Sequence, residues 1–368
     1  MPLTDWMKAY GSRTLGEMHL PGSHDAGTSK GYIDLTKAGT VSNSATQDKT
    51  IPEQINAGTR FFDLRLAEHK KRIVAHHTTA GQGAYSNVGV DQVLSDAADF
   101  CEHHRDEVVI FRISHTSGST KADDIAIASA KKALHTGTGN LCLKKLSDIV
   151  RDGNLVLIFD DQKFTIDQKK GIHGYSKYTA TPNAAGIATC GCYSQTHKLE
   201  DVICNGLKGQ YEHNMSHGAN HDHLWQLYWQ KTYVNPASGT GIERGAKKAA
   251  QFKKGVKTSG GTHAATGYMI SLMKGLGNPL GTPNYEVQSE KKKGVVKKKV
   301  VRQKVMYSTR AFRDFALPNI ISYDFVNEDI NKLIIRMNDK SLQKVRDDNL
   351  PDDSDDDSDS DSDSDSES

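Results

Sequence analysis

The chain has 368 residues, 36% of them hydrophobic and 25% charged, a composition that supports a sizeable core within one large α/β barrel. Its apolar runs are too short for a transmembrane helix of about 20 residues, and Met1 to Trp6 lack the basic and apolar stretches of a secretory signal. Five cysteines argue against a disulfide scaffold and for a reducing, cytoplasmic compartment, and the formal net charge of +2 conceals a basic body and an acidic end.

Short strand-like runs alternate with helical stretches over residues 1 to about 165, which is the pattern of parallel βα units. Strands are predicted, in chain order, at Leu15–Leu20, Thr59–Leu66, Arg72–His77, Glu107–His115 and Asn154–Asp160. A helix is predicted at Val90–His104, because its apolar residues recur with helical spacing.

The alternation weakens after Gln162, where Gly-rich loops intervene. The later predicted elements are a strand at Leu224–Trp229, a strand at Asn319–Phe325 and a helix around Asp329–Met337. A basic stretch of low hydrophobicity, about 240–305, is expected to be an insertion or loop. Its segment Lys291–Lys304 has eight basic residues in fourteen, which suits either a solvated loop or hairpin or a contact with anionic lipid.

The end of the chain, 347–368, has 12 Asp or Glu, seven Ser and no Lys or Arg. We expect it to be a disordered acidic tail, because it cannot bury enough apolar surface to fold. Without it, 33 of the 45 acidic residues remain against 47 basic ones, so the body has a net charge of +14. This charge suits an anionic partner such as a membrane surface, a phosphorylated headgroup or nucleic acid. Among these we expect a lipid partner and no nucleic acid.

Ionisable residues stand at or near the C-terminal ends of four predicted strands, where barrel enzymes place catalytic groups. In the second strand, alternation puts Asp63 and Arg65 on one face and the apolar residues on the other. An Asp and an Arg aimed into a barrel are costly unless they are paired or used. A half-exposed strand with a solvated pair is the alternative.

The first strand runs into a segment from Leu20 to Thr28 that contains a Pro-Gly pair. These two residues predict a tight exit turn, which places His24 and Asp25 at the C-terminal mouth of the barrel. The last strand carries Asp324 near its end. A turn with a fortuitous His-Asp pair is the alternative interpretation.

The third predicted strand ends in two adjacent histidines, and alternation lets only one of them face the barrel interior. That residue is His77 if Ile73 and Ala75 face inwards; a structural or surface histidine is the alternative. Two histidines, an arginine and three aspartates at one mouth would suit phosphoryl chemistry. One imidazole removes a proton, the other donates one, and the guanidinium neutralises phosphate charge.

These segments resemble the X-domain of phosphatidylinositol-specific phospholipase C in their order and spacing. The segments that carry the resemblance are Leu20–Thr28, Gln54–Arg65, Ile73–His77 and Val90–Ile113, with weaker similarity at Leu224–Thr232 and Asn319–Val326. The resemblance covers residues 10–165 and is patchy over 220–340. It implies a distorted TIM (β/α)8 barrel over residues 1–346.

The resemblance also implies cleavage of the glycerophosphoryl bond of inositol lipids, with a cyclic inositol phosphodiester as product. His24 matches the family's general base and His77 its general acid. Arg65 takes the position of a phosphate-binding arginine in bacterial members, where metal-dependent members carry a calcium-binding acidic residue, so no cofactor or metal is expected. The supporting carboxylates are Asp25, Asp63 and Asp324, the last of which matches the group that holds the base imidazole.

Two positions depart from the bacterial pattern. Where the fourth strand of bacterial members offers a lysine to the headgroup, this chain has Ser114 followed by His115. Where an inositol-binding arginine is expected, the fifth strand ends in Asp160. These three residues are the predicted substrate-binding positions, and they leave headgroup specificity open. His115 either lines the pocket or lies on the surface.

Two other functions stay open. The departures at Ser114 and Asp160 would also fit a barrel that binds anionic lipid without turnover. A metal-dependent phosphodiesterase of the sphingomyelinase D or glycerophosphodiesterase kind would need an acidic metal cluster near the first histidine. For the leading hypothesis, the expected partner is a phosphatidylinositol-type phospholipid, with peripheral contact to an anionic membrane, and the chain is expected to be a monomer.

A second group of residues consists of zinc-ligand types. Its members are His213, His217, His221 and His223, with Cys190, Cys192 and Cys204 upstream. The spacing contains no CxxC pair, so a polar loop is favoured over a structural metal.

Overall fold

Eight parallel strands close on themselves in the computed structural model of the chain. It describes residues 2–37, 39, 41–79, 82–117, 121–160, 165–177, 186–192, 221–228, 285–292, 295–302 and 318–339. Strands β1 to β13 of these residues are Leu20–Ser23, Ile33–Leu35, Phe61–His69, Arg72–Thr79, Gln82–Gly89, Val109–Ser117, Leu155–Asp160, His173–Lys177, Gly186–Cys192, Leu224–Tyr228, Tyr285–Lys292, Val295–Arg302 and Ile320–Tyr323. Helices α1 to α6 are Val41–Ser44, Ile51–Asn56, Val90–His103, Lys121–Ala130, Leu146–Arg151 and Glu328–Arg336.

The barrel follows the order β1, β3, β6, β7, β8, β9, β10 and β13, and β13 pairs with β1 to close it. Every pair in this ring is parallel. The predicted TIM barrel is therefore confirmed. Strands β8 and β9 complete the ring in the region where the sequence pattern was too weak to predict them.

Side chains alternate between two apolar cores along each barrel strand. Phe61 belongs to the inner core, which Trp6, Met7 and Leu15 extend at the N-terminal end of the barrel. Phe62 belongs to the outer core, in which the strands pack against α3 and α4. Because alternation has a period of two, Asp63 and Arg65 follow Phe61 onto the inner face. The polar residues of the site thus lie above the inner core.

The prediction of a third parallel strand at Arg72–His77 is wrong. β4 pairs antiparallel with β3, β5 pairs antiparallel with β4, and β2 pairs antiparallel with β5. β3 and β4 form a hairpin with a two-residue turn, so β4 starts above the barrel and runs back towards its mouth. These strands form a wall beside the mouth.

The prediction of a strand at Leu15–Leu20 is also wrong. Residues Leu15–Glu17 form a short 3-10 helix, and a capping box between Thr14 and Glu17 caps its N-terminal end. The strand begins at Leu20 and includes the Pro-Gly pair that was predicted to be an exit turn. Gly22 serves close packing instead, because a Cβ at that position would collide with Ser322 on β13. The chain turns at Asp25, whose φ is 41°.

In the basic region, β11 and β12 form an antiparallel hairpin with Tyr285 opposite Arg302. The rest of 240–305 and the tail 347–368 lie outside the described residues. Within the part of the chain that the structure covers, no helix is both long and apolar enough to cross a membrane.

Candidate active site

The predicted catalytic residues meet at the C-terminal mouth of the barrel, around the carboxylate of Asp25. The Nε atom of Arg65 lies 2.7 Å from Asp25 Oδ1, an ion-pair contact that lacks hydrogen-bond alignment. The Nε2 atoms of His24 and His77 each lie 3.4 Å from Asp25 Oδ2. One buried carboxylate thus holds the proposed acid, the proposed base and the phosphate-binding guanidinium together.

The charge of Asp25 depends on these neighbours. Burial alone would raise its pKa, but the positive charges of His24, Arg65 and His77 together hold the pKa of this carboxyl below its usual value. The side chain of Asp25 is fully buried, while that of Arg65 is about a quarter exposed. Asp25 therefore serves as an ionised anchor, and Arg65 remains accessible to an anion.

His24 is fixed by a second carboxylate from the opposite end of the sequence. Its Nδ1 lies 2.9 Å from Asp324 Oδ1. Burial lowers the pKa of His24, but the charges of Asp25 and Asp324 outweigh this effect and raise it to about 9. The Asp324 contact leaves Nε2 as the ring nitrogen that faces the mouth.

His77 has a matching arrangement on β4. Its Nδ1 lies 3.2 Å from the carbonyl oxygen of Ser44 in α1, where it donates a hydrogen bond in the tautomer that leaves Nε2 towards Asp25. The strand-face argument for His77 is wrong, because Ile73 and Ala75 pack in the outer core. β4 runs antiparallel beside β3, towards the segment of β3 that pairs with β1. His77, near the end of β4, therefore lies next to the C-terminal end of β1 and reaches the site.

Asp63 lies beside this cluster on the inner face. Its Oδ1 accepts a hydrogen bond of 3.2 Å from the Ser114 hydroxyl and lies 4.0 Å from Arg112 Nη1. Among the described residues, the only group of three ligand-type residues close enough to share a metal ion is His24, Asp25 and Asp63. Arg65 already brings a positive charge to Asp25 at this position.

The three predicted headgroup residues have different surroundings. Ser114 is buried and bonded to Asp63, whereas His115 is exposed, with a φ of 50° and its Nδ1 3.1 Å from Ser114 Oγ. Asp160 accepts from the guanidinium of Arg112, whose Nε lies 3.2 Å from Asp160 Oδ2. The ion pair between Asp160 and Arg112 spans neighbouring barrel strands.

Arg112 and Tyr228 were not identified from the sequence. Arg112 Nη1 donates a hydrogen bond of 2.7 Å to the Tyr228 hydroxyl, and Tyr228 packs edge-on to His24 at 6.3 Å between ring centroids. The strand pattern contained a signal for Arg112, because it shares the inner face with Ile110 and Ser114. A guanidinium is therefore present at the mouth on the fourth predicted strand, two residues before Ser114.

A short segment after α1 holds the two ends of the site. The Gln47 side chain bonds the main chain at His24, Tyr323 and Val326, and Thr46 Oγ1 donates to the Asp25 carbonyl at 2.7 Å. This segment also was not identified from the sequence. It supports two non-glycine residues in the left-handed region, Asp25 with φ 41° and Phe325 with φ 57°.

The separate histidine cluster is only partly described. His221 Nδ1 lies 3.2 Å from the Gly16 carbonyl oxygen, and His223 Nδ1 lies 2.7 Å from Asp222 Oδ1. Cys190 and Cys192 lie on β9, where their backbone but not their side chains is described, and His213, His217 and Cys204 lie outside the described residues. Each of the two described histidines therefore lies within hydrogen-bond distance of an oxygen atom of the protein.

Two curated proteins are similar in sequence to part of this chain. PI-PLC X domain-containing protein 1 of Danio rerio is 30% identical over 142 residues, which cover 31% of this chain and 44% of that protein. The Homo sapiens protein of the same name is 27% identical over 142 residues and is covered to 42%. The chain thus matches less than half the length of these curated relatives. No protein-family model matches it.

Solved structures share the fold over nearly the whole chain. Phosphatidylinositol-specific phospholipase C from Listeria monocytogenes superposes with a TM-score of 0.56 at 14% identity, over 92% of this chain and 99% of that one. The F249X mutant of the Staphylococcus aureus enzyme gives 0.55 at 14% identity, over 91% and 98%. The resemblance to the X-domain family that the motifs indicate is confirmed, and at these identities the structural likeness concerns the fold.

Proposed function

We propose that the protein is a phosphodiesterase that cleaves phosphatidylinositol-type lipids to diacylglycerol and a cyclic inositol phosphodiester, without a metal ion. The observation that carries this proposal is the shared carboxylate of Asp25, with two imidazole Nε2 atoms at 3.4 Å and the Arg65 Nε at 2.7 Å. An acid, a base and a phosphate-binding cation within one cluster meet the requirements of an in-line phosphoryl transfer.

In the first step, His24 Nε2 takes the proton of the inositol 2-hydroxyl, and the freed oxygen attacks phosphorus. Asp324 holds the opposite nitrogen of the same ring at 2.9 Å and stabilises the imidazolium that forms. Because the pKa of His24 is about 9, the neutral ring that acts as a base is a minor form at neutral pH. The base therefore becomes more available as the pH rises towards 9.

In the second step, the bond from phosphorus to the glycerol oxygen breaks, and His77 Nε2 donates its proton to that oxygen. The Ser44 carbonyl fixes the ring by accepting from Nδ1. Arg65 lies beside both imidazoles through Asp25, so it can neutralise charge on the phosphate oxygens. Arg112 and Asp160 lie on the neighbouring strands β6 and β7, and Tyr228 on β10 reaches Arg112 from across the mouth; together they supply donors and an acceptor for inositol hydroxyls.

The test is release of water-soluble cyclic inositol phosphate from phosphatidylinositol vesicles in the presence of EDTA, followed by 31P NMR. We expect product in EDTA, and a rate roughly 10²–10⁴-fold lower with His24→Ala. Product that requires added calcium or magnesium would refute the metal-independent mechanism and favour the His24, Asp25 and Asp63 group as a cation site. Vesicle binding without product over long incubation would refute catalysis.

A further inference from the structure

The turn between β3 and β4 has an unusual sequence for its backbone. His69 pairs with Arg72, so the turn consists of Lys70 and Lys71 alone. Their φ angles are 49° and 64°, as in the type I′ turn that Asn-Gly favours. Lysine has a Cβ that crowds this conformation, so the chain keeps two cations here at the cost of backbone strain.

The hairpin places this turn on the mouth side of the barrel. β3 carries Arg65 four residues before His69, and β4 carries His77 five residues after Arg72. At about 3.3 Å per residue, the turn lies roughly 13 to 17 Å beyond the catalytic cluster. A surface that the turn touches would therefore face the opening of the site.

Contacts with β2 and β5 hold the turn in place. Asp34 Oδ2 lies 2.8 Å from Lys70 Nζ and 3.3 Å from His69 Nε2. The His69 ring stacks on Tyr85 with 4.2 Å between centroids and 1° between planes. The position of the two lysines is thus set by the sheet wall.

The surface around the turn is cationic and carries apolar side chains. Its exposed residues are the cations Lys30, Lys37, Lys70, Lys71 and Arg72, which with the carboxylates of Asp34 and Glu68 leave a net charge of +3. Tyr32 is 45% exposed and Leu35 is 43% exposed, two of the three large hydrophobic residues exposed in the described part of the chain. Cations beside exposed aromatic and aliphatic groups are typical of a surface that meets an anionic bilayer.

We propose that this surface, residues 30–37 and 68–72, docks the protein onto anionic membranes and presents the barrel mouth to the lipid headgroups. The proposal rests on the proposed function for its purpose, because docking serves a lipid substrate. The charge of this surface and the backbone strain of its turn do not depend on turnover. The proposal assigns the membrane contact to the mouth-side turn. The sequence alone had suggested a different segment, Lys291–Lys304.

The test compares wild type with Lys70→Asn/Lys71→Gly, a variant that keeps the turn and relieves its strain. Binding is measured by sedimentation with vesicles of phosphatidylcholine and phosphatidylserine, and with pure phosphatidylcholine vesicles. We expect the variant to bind the anionic vesicles roughly 25-fold more weakly, about fivefold for each lysine, with an equal or higher melting temperature. Lys8→Asn, a change of an exposed lysine at the N-terminal end of the barrel, is the matched control and should bind like wild type.

The vesicles contain no inositol lipid, so this result is independent of catalysis. Loss of binding in the variant, together with unchanged hydrolysis of a soluble inositol phosphodiester, supports the proposal. The protein could bind anionic vesicles, lose that binding in the lysine variant and still never turn over inositol lipid. That result would support the docking proposal and refute the proposed function alone. Equal binding by variant and wild type, or no preference of wild type for phosphatidylserine, overturns it.

Discussion

The side-chain amide of Gln47 donates a hydrogen bond of 2.9 Å to the carbonyl oxygen of His24. The same Nε2 lies 3.3 Å from the Tyr323 carbonyl oxygen, and Oε1 accepts from the Val326 amide at 3.0 Å. Gln47 is fully buried and so joins the ends of β1 and β13. These ends carry the imidazole of His24 and the carboxylate of Asp324, whose contact orients the ring that we propose as the base. Gln47 is therefore a positioning residue.

We expect Gln47→Leu to lower kcat on a soluble inositol phosphodiester by roughly 100-fold, because small misplacements of a catalytic group have effects of this size. KM should change little, since Gln47 does not face the substrate. The kinetic constants of the variant and the pH dependence of its His24 resonances by NMR would measure the effect.

Gln54→Leu is the matched control for this change. Gln54 is also fully buried, and its Nε2 bonds the carbonyl oxygens of Ala26 at 2.9 Å and Lys49 at 2.8 Å. Both variants should lose about 1–3 kcal/mol of unfolding free energy, the usual cost of leaving buried groups unsatisfied. Equal losses of kcat in the two variants would show that Gln47 acts through general stability.

The pH dependence of the reaction should follow His24. Because its pKa is about 9, kcat/KM on an aryl inositol phosphodiester, whose leaving group needs little protonation by His77, should rise with pH and level off near 9. Asp324→Asn removes one of the charges that raise this pKa, so the break should move to lower pH while the maximal rate falls. A break that stays in place in Asp324→Asn would contradict the electrostatic role of that carboxylate.

The same raised pKa links protonation of His24 to stability. The charged imidazole stabilises the folded protein fully below the unfolded value of 6.5, and this contribution is lost as the pH rises through about 9. The difference in unfolding free energy between wild type and Asp324→Asn should therefore be largest near pH 6 and shrink by pH 10. Urea unfolding at these two pH values would measure it.

The two histidines should respond differently to an activated leaving group. His24→Ala and His77→Ala should each reduce the rate roughly 10²–10⁴-fold on a lipid-like substrate. An aryl inositol phosphodiester needs little protonation at departure, so it should restore much of the rate of His77→Ala and little of that of His24→Ala. Rescue of His24→Ala instead would exchange the two assignments.

His76→Ala is the neighbouring control for that experiment. His76 Nδ1 lies 2.9 Å from Thr78 Oγ1, and its ring packs near Tyr85. We expect a mild effect on rate, because the described contacts of His76 do not include the Asp25 carboxylate. A loss as large as that of His77→Ala would mean that His76 also takes part in proton transfer.

The ion pair between Arg112 and Asp160 should affect headgroup binding more than chemistry. Arg112→Met removes the donors to Tyr228 and Asp160. Asp160→Asn removes the negative charge of the carboxylate that accepts from Arg112. Each change should raise KM for inositol substrates by roughly 10- to 100-fold, the range of one or two charged hydrogen bonds, with a smaller effect on kcat. An unchanged KM in both variants would remove this pair from the headgroup site.

Stability should depend on the ion pair at the opposite end of the barrel. Arg60 Nε lies 2.7 Å from Glu107 Oε2, both side chains are fully buried, and Glu107 Oε1 accepts from the Met7 amide at 2.7 Å. Glu107→Gln leaves a buried charge unpaired and should cost about 3–5 kcal/mol of unfolding free energy. Asp106→Asn breaks the exposed contact with Lys8 and should have no measurable effect. Denaturant unfolding of the three proteins makes the comparison.

Strand alternation and end position were enough to predict which residues reach the mouth on β3. Asp63 and Arg65 follow Phe61 inwards because a strand offers two faces and only one fits the outer core. The same rule would have identified Arg112. The antiparallel course of β4 could not be predicted in this way, because the Lys70–Lys71 turn lacks the Asn-Gly signal of a two-residue hairpin.

Other parts of the site depend on contacts that sequence patterns do not encode. The anchor of His77 is a main-chain carbonyl at Ser44, and any residue type can supply that group. Gln47 acts through main-chain atoms of β1 and β13, so its role appears only once the barrel is closed. Strand β9, Gly186–Cys192, lacks a run of large apolar residues that would predict a strand.

The contact between His24 and Asp324 joins residues separated by 300 positions. Because the chain is synthesised from its N-terminus, His24 emerges from the ribosome long before Asp324, which orients its ring. A chain that stops short of β13 would carry His24, His77 and Arg65 but would lack the Asp324 carboxylate that contacts His24 Nδ1 and the Tyr323 carbonyl that accepts from Gln47. Under the proposed function, catalysis would therefore begin only after β13 has been made, so shorter chains would not act on membranes near the ribosome.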